Sequence, residues 1–137
     1  ERFSNIKKLP RIPLRKLGKE LILALDGTQI SKDRILLVAY ELVSKQPLAW
    51  AFTSRESFDS WFELLLVIKA KYQIAALASD GQKGLIKAIK MLFPDIPHQR
   101  CIIHIVRRSL AWLTSRPKTE AAIELRAHIL KLKLVFF

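Results

Sequence analysis

The segments LILALDG (residues 21–27) and IAALASDG (residues 74–81) share one design, a short apolar run that ends in an Asp-Gly step. An apolar run of this length bounded by turn signals predicts a buried strand, and a carboxylate at its end lies where the core meets solvent. Asp-Gly is also a common turn dipeptide, so each step taken alone favours a simple turn after the strand. Taken together, the two steps predict strand ends whose carboxylates, Asp26 and Asp80, converge on a metal ion.

The composition indicates one globular domain with a strongly basic surface. Half of the 137 residues are hydrophobic, which is enough to form a core. Lys and Arg number 24 against 12 Asp and Glu, and the net charge of +12 predicts a polyanionic partner such as nucleic acid, although a basic structural protein would share it. Cys101 is the single cysteine, which excludes an internal disulfide. No apolar stretch approaches the ~18 to 20 residues of a membrane span, so we predict a soluble, intracellular protein without a membrane partner.

The first third of the chain predicts a basic linker followed by an antiparallel meander. Residues 1–19 combine Lys and Arg with two prolines, a composition that favours either an extended segment along phosphates or a solvated tail. Strand-like runs follow at residues 21–30, 34–43 and 48–53. The short connections between these runs join antiparallel neighbours.

The remaining elements predict helices and a parallel crossover. Thr53-Ser54-Arg55-Glu56 has the spacing of a capping box, so Glu56 needs no further function, and apolar residues through Tyr72 repeat at helical spacing behind it. A strand at 74–78, a helix at 82–93 and a strand at 98–103 then form a parallel unit. The chain is predicted to be helical beyond Val106, to break at residues 115–117, and to resume with one apolar face. That face is formed by Ala122, Leu125, Ile129 and Leu132.

This order of elements resembles the ribonuclease-H-like fold, in which the first and fourth strands each present an aspartate to one site. Several short segments between residues 21 and 108 look like the signature of mutator-type transposases of bacterial insertion sequences. The segments are Leu25-Asp26-Gly27-Thr28, Arg55-Glu56-Ser57 with Trp61, Ser79-Asp80-Gly81 with Gly84-Leu85 and Ala88-Ile89, Phe93-Pro94, and Gln99-Arg100-Cys101 with His104.

The resemblance implies an enzyme that cuts and joins DNA with two divalent metal ions, Mg²⁺ or Mn²⁺, held by two aspartates and a downstream glutamate. By position, Asp26 matches the first acid and Asp80 the second. Carboxylate oxygens suit such hard cations. Only Glu120 and Glu124 follow the cysteine-histidine step, on a helix where Glu is an ordinary solvated residue. The third acid is therefore predicted to be missing, and the chain alone to be inactive.

Two other groups of residues are candidates for binding. Cys101 and His104 form a Cys-x2-His pair, but a closed zinc site needs four ligands, so a buried thiol and a helix-capping or DNA-facing imidazole are the favoured interpretation. A lysine stripe on the helix after Asp80 is usually a solvated face, yet its position and the net charge favour phosphate contact. The predicted DNA-binding residues are Lys83, Lys87, Lys90, Arg100, Arg107 and Arg108.

The sequence thus predicts an α/β chain with a ribonuclease-H-like mixed sheet, truncated in a helical region. Its predicted parts are a linker (1–19), a partial catalytic core (20–113) and the start of a helical insertion (114–137). The predicted function is metal-dependent cleavage and transfer of DNA strands in transposition, acting on transposon ends and target DNA. A homo-oligomeric full-length protein in the bacterial cytoplasm, associated with the nucleoid, is expected. The alternatives are a non-catalytic nucleic-acid-binding remnant and a ribonuclease-H-like nuclease that hydrolyses without joining.

Overall fold

A computed structural model of the protein describes residues 16–136, with side chains up to residue 132. Most of the predicted basic linker, residues 1–15, lies outside this range. The described elements, in chain order, are β1 (Leu21–Ser31), β2 (Arg34–Glu41), β3 (Gln46–Thr53), α1 (Phe58–Lys71), β4 (Ile74–Ser79), α2 (Lys83–Leu92), β5 (His98–Arg100), α3 (Ile102–Leu113) and α4 (Glu120–Phe136).

The strands form one five-stranded mixed sheet in the order β3-β2-β1-β4-β5. The pairs β1·β2 and β2·β3 are antiparallel, which confirms the meander, and β1 pairs with β4 in parallel. The predicted α/β class is therefore confirmed, and the architecture is consistent with a ribonuclease-H-like core. Within residues 16–136, no helix has the length and hydropathy needed to cross a membrane.

The core lies on one face of the sheet because the strands alternate. Leu21, Leu23 and Leu25 of β1 are buried, whereas Ile22 between them is 37% exposed. The helices α1 and α2 cover this face with apolar residues at helical spacing. Their buried residues are Trp61, Leu64, Leu65 and Ile68 of α1, and Leu85, Ala88, Ile89 and Leu92 of α2.

The predicted capping box at residues 53–56 is wrong, because the N-cap of α1 lies four residues later. Ser57 is the N-cap residue, and its Oγ accepts a hydrogen bond from the backbone N–H of Ser60 at 3.3 Å. The Oγ of Ser60 accepts in return from the backbone N–H of Ser57 at 2.9 Å. Thr53 instead closes a local turn with Arg55. Glu56 is therefore not occupied in capping the helix.

Gly84 allows α2 to approach the first turn of α1 closely. A Cβ at this position would lie 2.5 Å from the backbone nitrogen of Phe58 and 3.0 Å from the carbonyl carbon of Ser57. We expect Gly84→Ala to lower the free energy of unfolding by about 1 to 3 kcal/mol in urea denaturation, because backbone atoms must move. Gly18→Ala is the control, since its nearest neighbour would be the Glu20 carbonyl oxygen at 3.6 Å. Equal stabilities of the two variants would contradict the close approach.

The final strand is shorter than predicted. β5 ends at Arg100, and α3 begins at Ile102 with Cys101 as its N-cap residue. The predicted strand to residue 103 is wrong, because Ile102 and Ile103 belong to the first turn of α3, and a short apolar run is compatible with either element.

The chain divides into two compact units, one ending at Gln99 and one beginning at Arg100. The second unit contains α3 and α4, and the predicted helix break at 115–117 is confirmed. The predicted apolar face of α4 is wrong in part: Ile129 is buried, but Leu125 is 52% and Leu132 is 46% exposed. Apolar residues surround this helix, so spacing alone does not select its buried side. The boundary between core and insertion at residues 113–114 stays a prediction.

Candidate functional site

The two aspartates lie on neighbouring parallel strands. Leu25 of β1 is paired with Ser79, the last residue of β4. Each is followed directly by an aspartate, Asp26 within β1 and Asp80 just past β4. Because paired residues of neighbouring strands project to the same face, the register brings Asp26 and Asp80 to one face at the same level of the sheet.

The two Asp-Gly steps have different local structures. Gly81 has φ of 88°, and the Asp80 Oδ1 accepts a hydrogen bond from the backbone N–H of Gln82 at 2.9 Å. The second step is thus a turn that needs glycine. β1, in contrast, continues through Gly27 to Ser31, so the turn interpretation is wrong there. The exposed Asp26 accepts a hydrogen bond from Thr28 Oγ1 at 3.4 Å.

Gly27 makes room for a third carboxylate, that of Glu56. A Cβ on Gly27 would come within 2.7 Å of both Cδ and Oε1 of Glu56. The same Oε1 accepts a hydrogen bond from the indole Nε1 of the buried Trp61 at 2.8 Å. Sequence reasoning missed Glu56 because it assigned this residue to a capping box, and the two signals that identify it are Gly27 inside a strand and Trp61 five residues downstream.

Burial and neighbouring charge both act on the ionisation of Glu56. Burial raises the pKa of this carboxyl, the hydrogen bond from Trp61 lowers it, and the negative charges of Asp80 and Asp26 raise it. The net pKa of Glu56 lies above its ordinary value. The charges of Asp80 and Asp26 therefore act on Glu56 in addition to its burial.

The donor set fits a hard divalent cation in part. Mg²⁺ is commonly held by one or two carboxylates, with water and substrate phosphate completing its shell, and Asp26 and Asp80 supply such a pair. Among the side chains of residues 16–132, no three His, Cys, Asp or Glu residues come together as a metal site. Glu120 and Glu124 lie exposed at the start of α4, in the second unit.

The Cys-x2-His pair lies at the start of α3. Cys101 is half-buried, whereas the sequence predicts a buried thiol. Its side chain makes no capping hydrogen bond to α3. His104 lies inside α3, three residues after the N-cap residue Cys101, and its role stays a prediction. His98, three residues before the cysteine, shares a hydrogen bond of 2.8 Å with the buried Ser79 Oγ, next to Asp80.

The predicted DNA-binding residues are all exposed. Lys83, Lys87 and Lys90 lie on α2 away from its buried residues, and the Nζ of Lys87 is 4.8 Å from the centre of the Phe58 ring. Arg100 ends β5, and Arg107 and Arg108 lie on α3. The structure therefore leaves these cations accessible, while their contact with DNA stays a prediction.

Comparisons with known proteins show the family of the chain. Residues 20–131 match the family model described as "Transposase, Mutator family". The chain belongs to the Mutator family of transposases. A relative is the transposase for insertion sequence element ISRM5 of Rhizobium meliloti (strain 1021), 30% identical over 84 residues, which are 60% of this chain and 21% of that protein. Another is the transposase for IS1201 of Lactobacillus helveticus, 29% identical over 69 residues, 49% of this chain and 19% of that protein. The chain spans about a fifth of the length of these Mutator relatives.

A solved structure with similarity to this Mutator-family chain is a chain of a simian T-cell lymphotropic virus intasome in complex with PP2A regulatory subunit B56 gamma. The TM-score is 0.48 at 16% identity, over 84% of this chain and 48% of that chain.

Proposed function

We propose that this chain is part of the catalytic core of a transposase that cleaves and joins DNA strands in a metal-dependent reaction. The observation that carries the proposal is the register of β1 and β4 in a chain of the Mutator family, because Leu25 pairs with Ser79 and an aspartate follows each of them. The membership supports an enzyme that processes nucleic acid, and the aspartate pair supports a site of the type with two aspartates and one glutamate.

In this proposal Asp26 and Asp80 hold Mg²⁺ or Mn²⁺, with two ions in a complete site. Bound metal would activate the attacking oxygen and stabilise the leaving oxygen at phosphorus. The backbone N–H of Gln82 donates to Oδ1 of Asp80 at 2.9 Å, which restricts the orientation of this carboxylate. Charge-assisted bonds of this kind hold a carboxylate in one orientation.

The exposed cations on α2, β5 and α3 position the DNA backbone. Contacts to phosphate locate a duplex without selecting its sequence, so recognition of transposon ends requires other parts of the protein. In this proposal the substrates are transposon ends and target DNA, and the full-length protein acts as an oligomer. A DNA substrate of this kind implies a location with the nucleoid in the bacterial cytoplasm. A complete site of this type also needs a third acid, which the Asp26–Asp80 pair does not supply.

Binding of Mn²⁺ to the purified chain tests the metal site. We expect Asp26→Asn and Asp80→Asn each to weaken Mn²⁺ binding by about tenfold or more in a titration followed by electron paramagnetic resonance, because each removes a charged ligand. Asp33→Asn is the matched control, since Asp33 is an exposed aspartate in the turn between β1 and β2. Equal affinities in all four proteins would contradict the proposed site.

A further inference from the structure

We propose that Glu56 is a positioning residue of the Asp26–Asp80 site, whose negative charge strengthens the binding of a divalent cation although it is not itself a ligand. This inference rests on the proposed function, because it assumes that the two aspartates bind the cation. It assigns a role to a carboxylate that the sequence pattern attributes to helix capping.

The structure holds the Glu56 carboxylate in one place. The Trp61 indole that donates to Oε1 is fully buried, so its nitrogen has a fixed position. On the other side the carboxyl group lies against Gly27, where any side chain would collide with it. A charged group with a fixed position loses little side-chain entropy when it acts on a bound ion.

Glu56 and Asp26 lie on opposite faces of the sheet, and we therefore assign Glu56 a role through its charge and not as a metal ligand. Gly27 is paired with Leu37, which is fully buried, so the open side of Gly27 faces the core. Neighbouring residues of a strand point to opposite faces, so Asp26 projects away from the side on which Glu56 lies. This geometry agrees with the absence, among the described side chains, of a metal-holding group of three acids.

Gln82 connects the Glu56 segment to Asp80. Its backbone N–H donates to Asp80 Oδ1 at 2.9 Å, and its side-chain Nε2 donates to the backbone carbonyl of Glu56 at 3.4 Å. Its Oε1 accepts from the backbone N–H of Leu85 at 2.7 Å, which caps α2. One residue therefore fixes Asp80, Glu56 and the start of α2 relative to each other.

A cation at the aspartate pair would relieve the repulsion among three carboxylates. Glu56 lies against Gly27, the residue after Asp26, and Gln82 contacts both Glu56 and Asp80. The charges of both aspartates contribute to the raised pKa of Glu56. By the same interaction with opposite sign, ionised Glu56 attracts a divalent cation held by the aspartates. A purely structural Glu56 would serve only as the hydrogen-bond acceptor of Trp61.

The substitution Glu56→Gln separates these two roles, because the amide oxygen still accepts from Trp61 while the charge is lost. We expect the Kd for Mn²⁺ to rise about fivefold at low ionic strength, because one negative charge that attracts the divalent ion is lost and little salt is present to screen it. Glu63→Gln is the matched control, a half-buried glutamate on α1, and its Kd should stay within about twofold of wild type. Trp61→Phe keeps the charge but loses the donor, and should weaken binding less than Glu56→Gln.

The thermal shift produced by Mg²⁺ is measured on every variant, so that a change in starting stability does not hide a change in binding. Because the folded pKa of Glu56 is raised, its ionisation destabilises the metal-free protein at pH values above that pKa, and Glu56→Gln should not lower the melting temperature at neutral pH. If Glu56→Gln binds Mn²⁺ and shifts with Mg²⁺ as wild type does while Asp26→Asn loses both responses, the inference is overturned and the proposed function stands. If wild type and Asp26→Asn respond identically, both are overturned.

Discussion

DNA binding by this chain is expected to weaken about 1,000-fold when monovalent salt rises from about 50 to about 200 mM. The chain carries a net charge of +12, and its predicted phosphate contacts are exposed. Neutralisation of about six phosphates gives a slope near −5 for log affinity against log salt, because each contact releases condensed counterions. Over a fourfold change in salt, that slope corresponds to about three orders of magnitude.

Fluorescence anisotropy with duplexes of unrelated sequence measures this slope. Substitution of the α2 lysines, Lys83, Lys87 and Lys90, by Gln should reduce its magnitude by about three, because each lost phosphate contact removes about one. The control replaces Lys19, Lys45 and Lys71, which are equally exposed but lie at the edge of the sheet where β1 and β4 begin. A flat salt response, or equal slopes for the two triple variants, would show that the α2 face does not bind the DNA backbone.

The sheet and the aspartate pair could be predicted because both depend on local patterns. Short connections between apolar runs dictate antiparallel neighbours, and a strand-helix-strand order dictates the parallel return. The structure confirms the antiparallel meander and places β1 between β2 and its parallel neighbour β4. Asp26 and Asp80 follow from the same logic, because each lies one position beyond the paired residues Leu25 and Ser79.

The ends of elements could not be predicted, because competing local signals are similar in strength. Residues 53–56 and residues 57–60 both offer a hydroxyl with a polar side chain three residues later, and the sequence does not decide which pair caps α1. In the structure Ser57 and Ser60 form the capping box of α1, so Glu56 is not occupied in capping the helix. The apolar run after Cys101 is equally ambiguous between strand and helix.

The contact of Glu56 with Gly27 could not be predicted because the two residues are distant in sequence. The Glu56 carboxylate occupies the space where a side chain at position 27 would lie, and Gly27 belongs to another element, β1. Only the assembled sheet shows that an Asp-Gly step can serve a packing contact instead of a turn. Sequence patterns capture the spacing within one helix or strand, whereas a contact between the end of β1 and the loop before α1 depends on how the elements pack.

The 137-residue chain, purified alone, is expected not to cleave or join DNA, even with Mg²⁺ or Mn²⁺. Two aspartates can attract a cation, but without a third ligand the second metal is under-coordinated, and the attacking and leaving oxygens are not held in line. Glu56 does not replace that ligand, because its carboxylate is held by Trp61 on the other face of β1. Since misplacement of about 1 Å already lowers rates about 100-fold, a missing ligand should lower them further.

A nicking assay with supercoiled plasmid detects cleavage with high sensitivity, because one cleaved phosphodiester converts the whole molecule to the relaxed form. Activity that requires metal and is lost in both Asp26→Ala and Asp80→Ala would contradict it, and would show that the chain supplies a complete site. Glu56→Gln, Glu120→Gln and Glu124→Gln would then identify the third acid, since only the substitution of a ligand abolishes cleavage while leaving DNA binding unchanged. Release of nicked products without joined products would favour a hydrolytic nuclease over a transposase, because joining requires the 3′ end to be held as the next nucleophile.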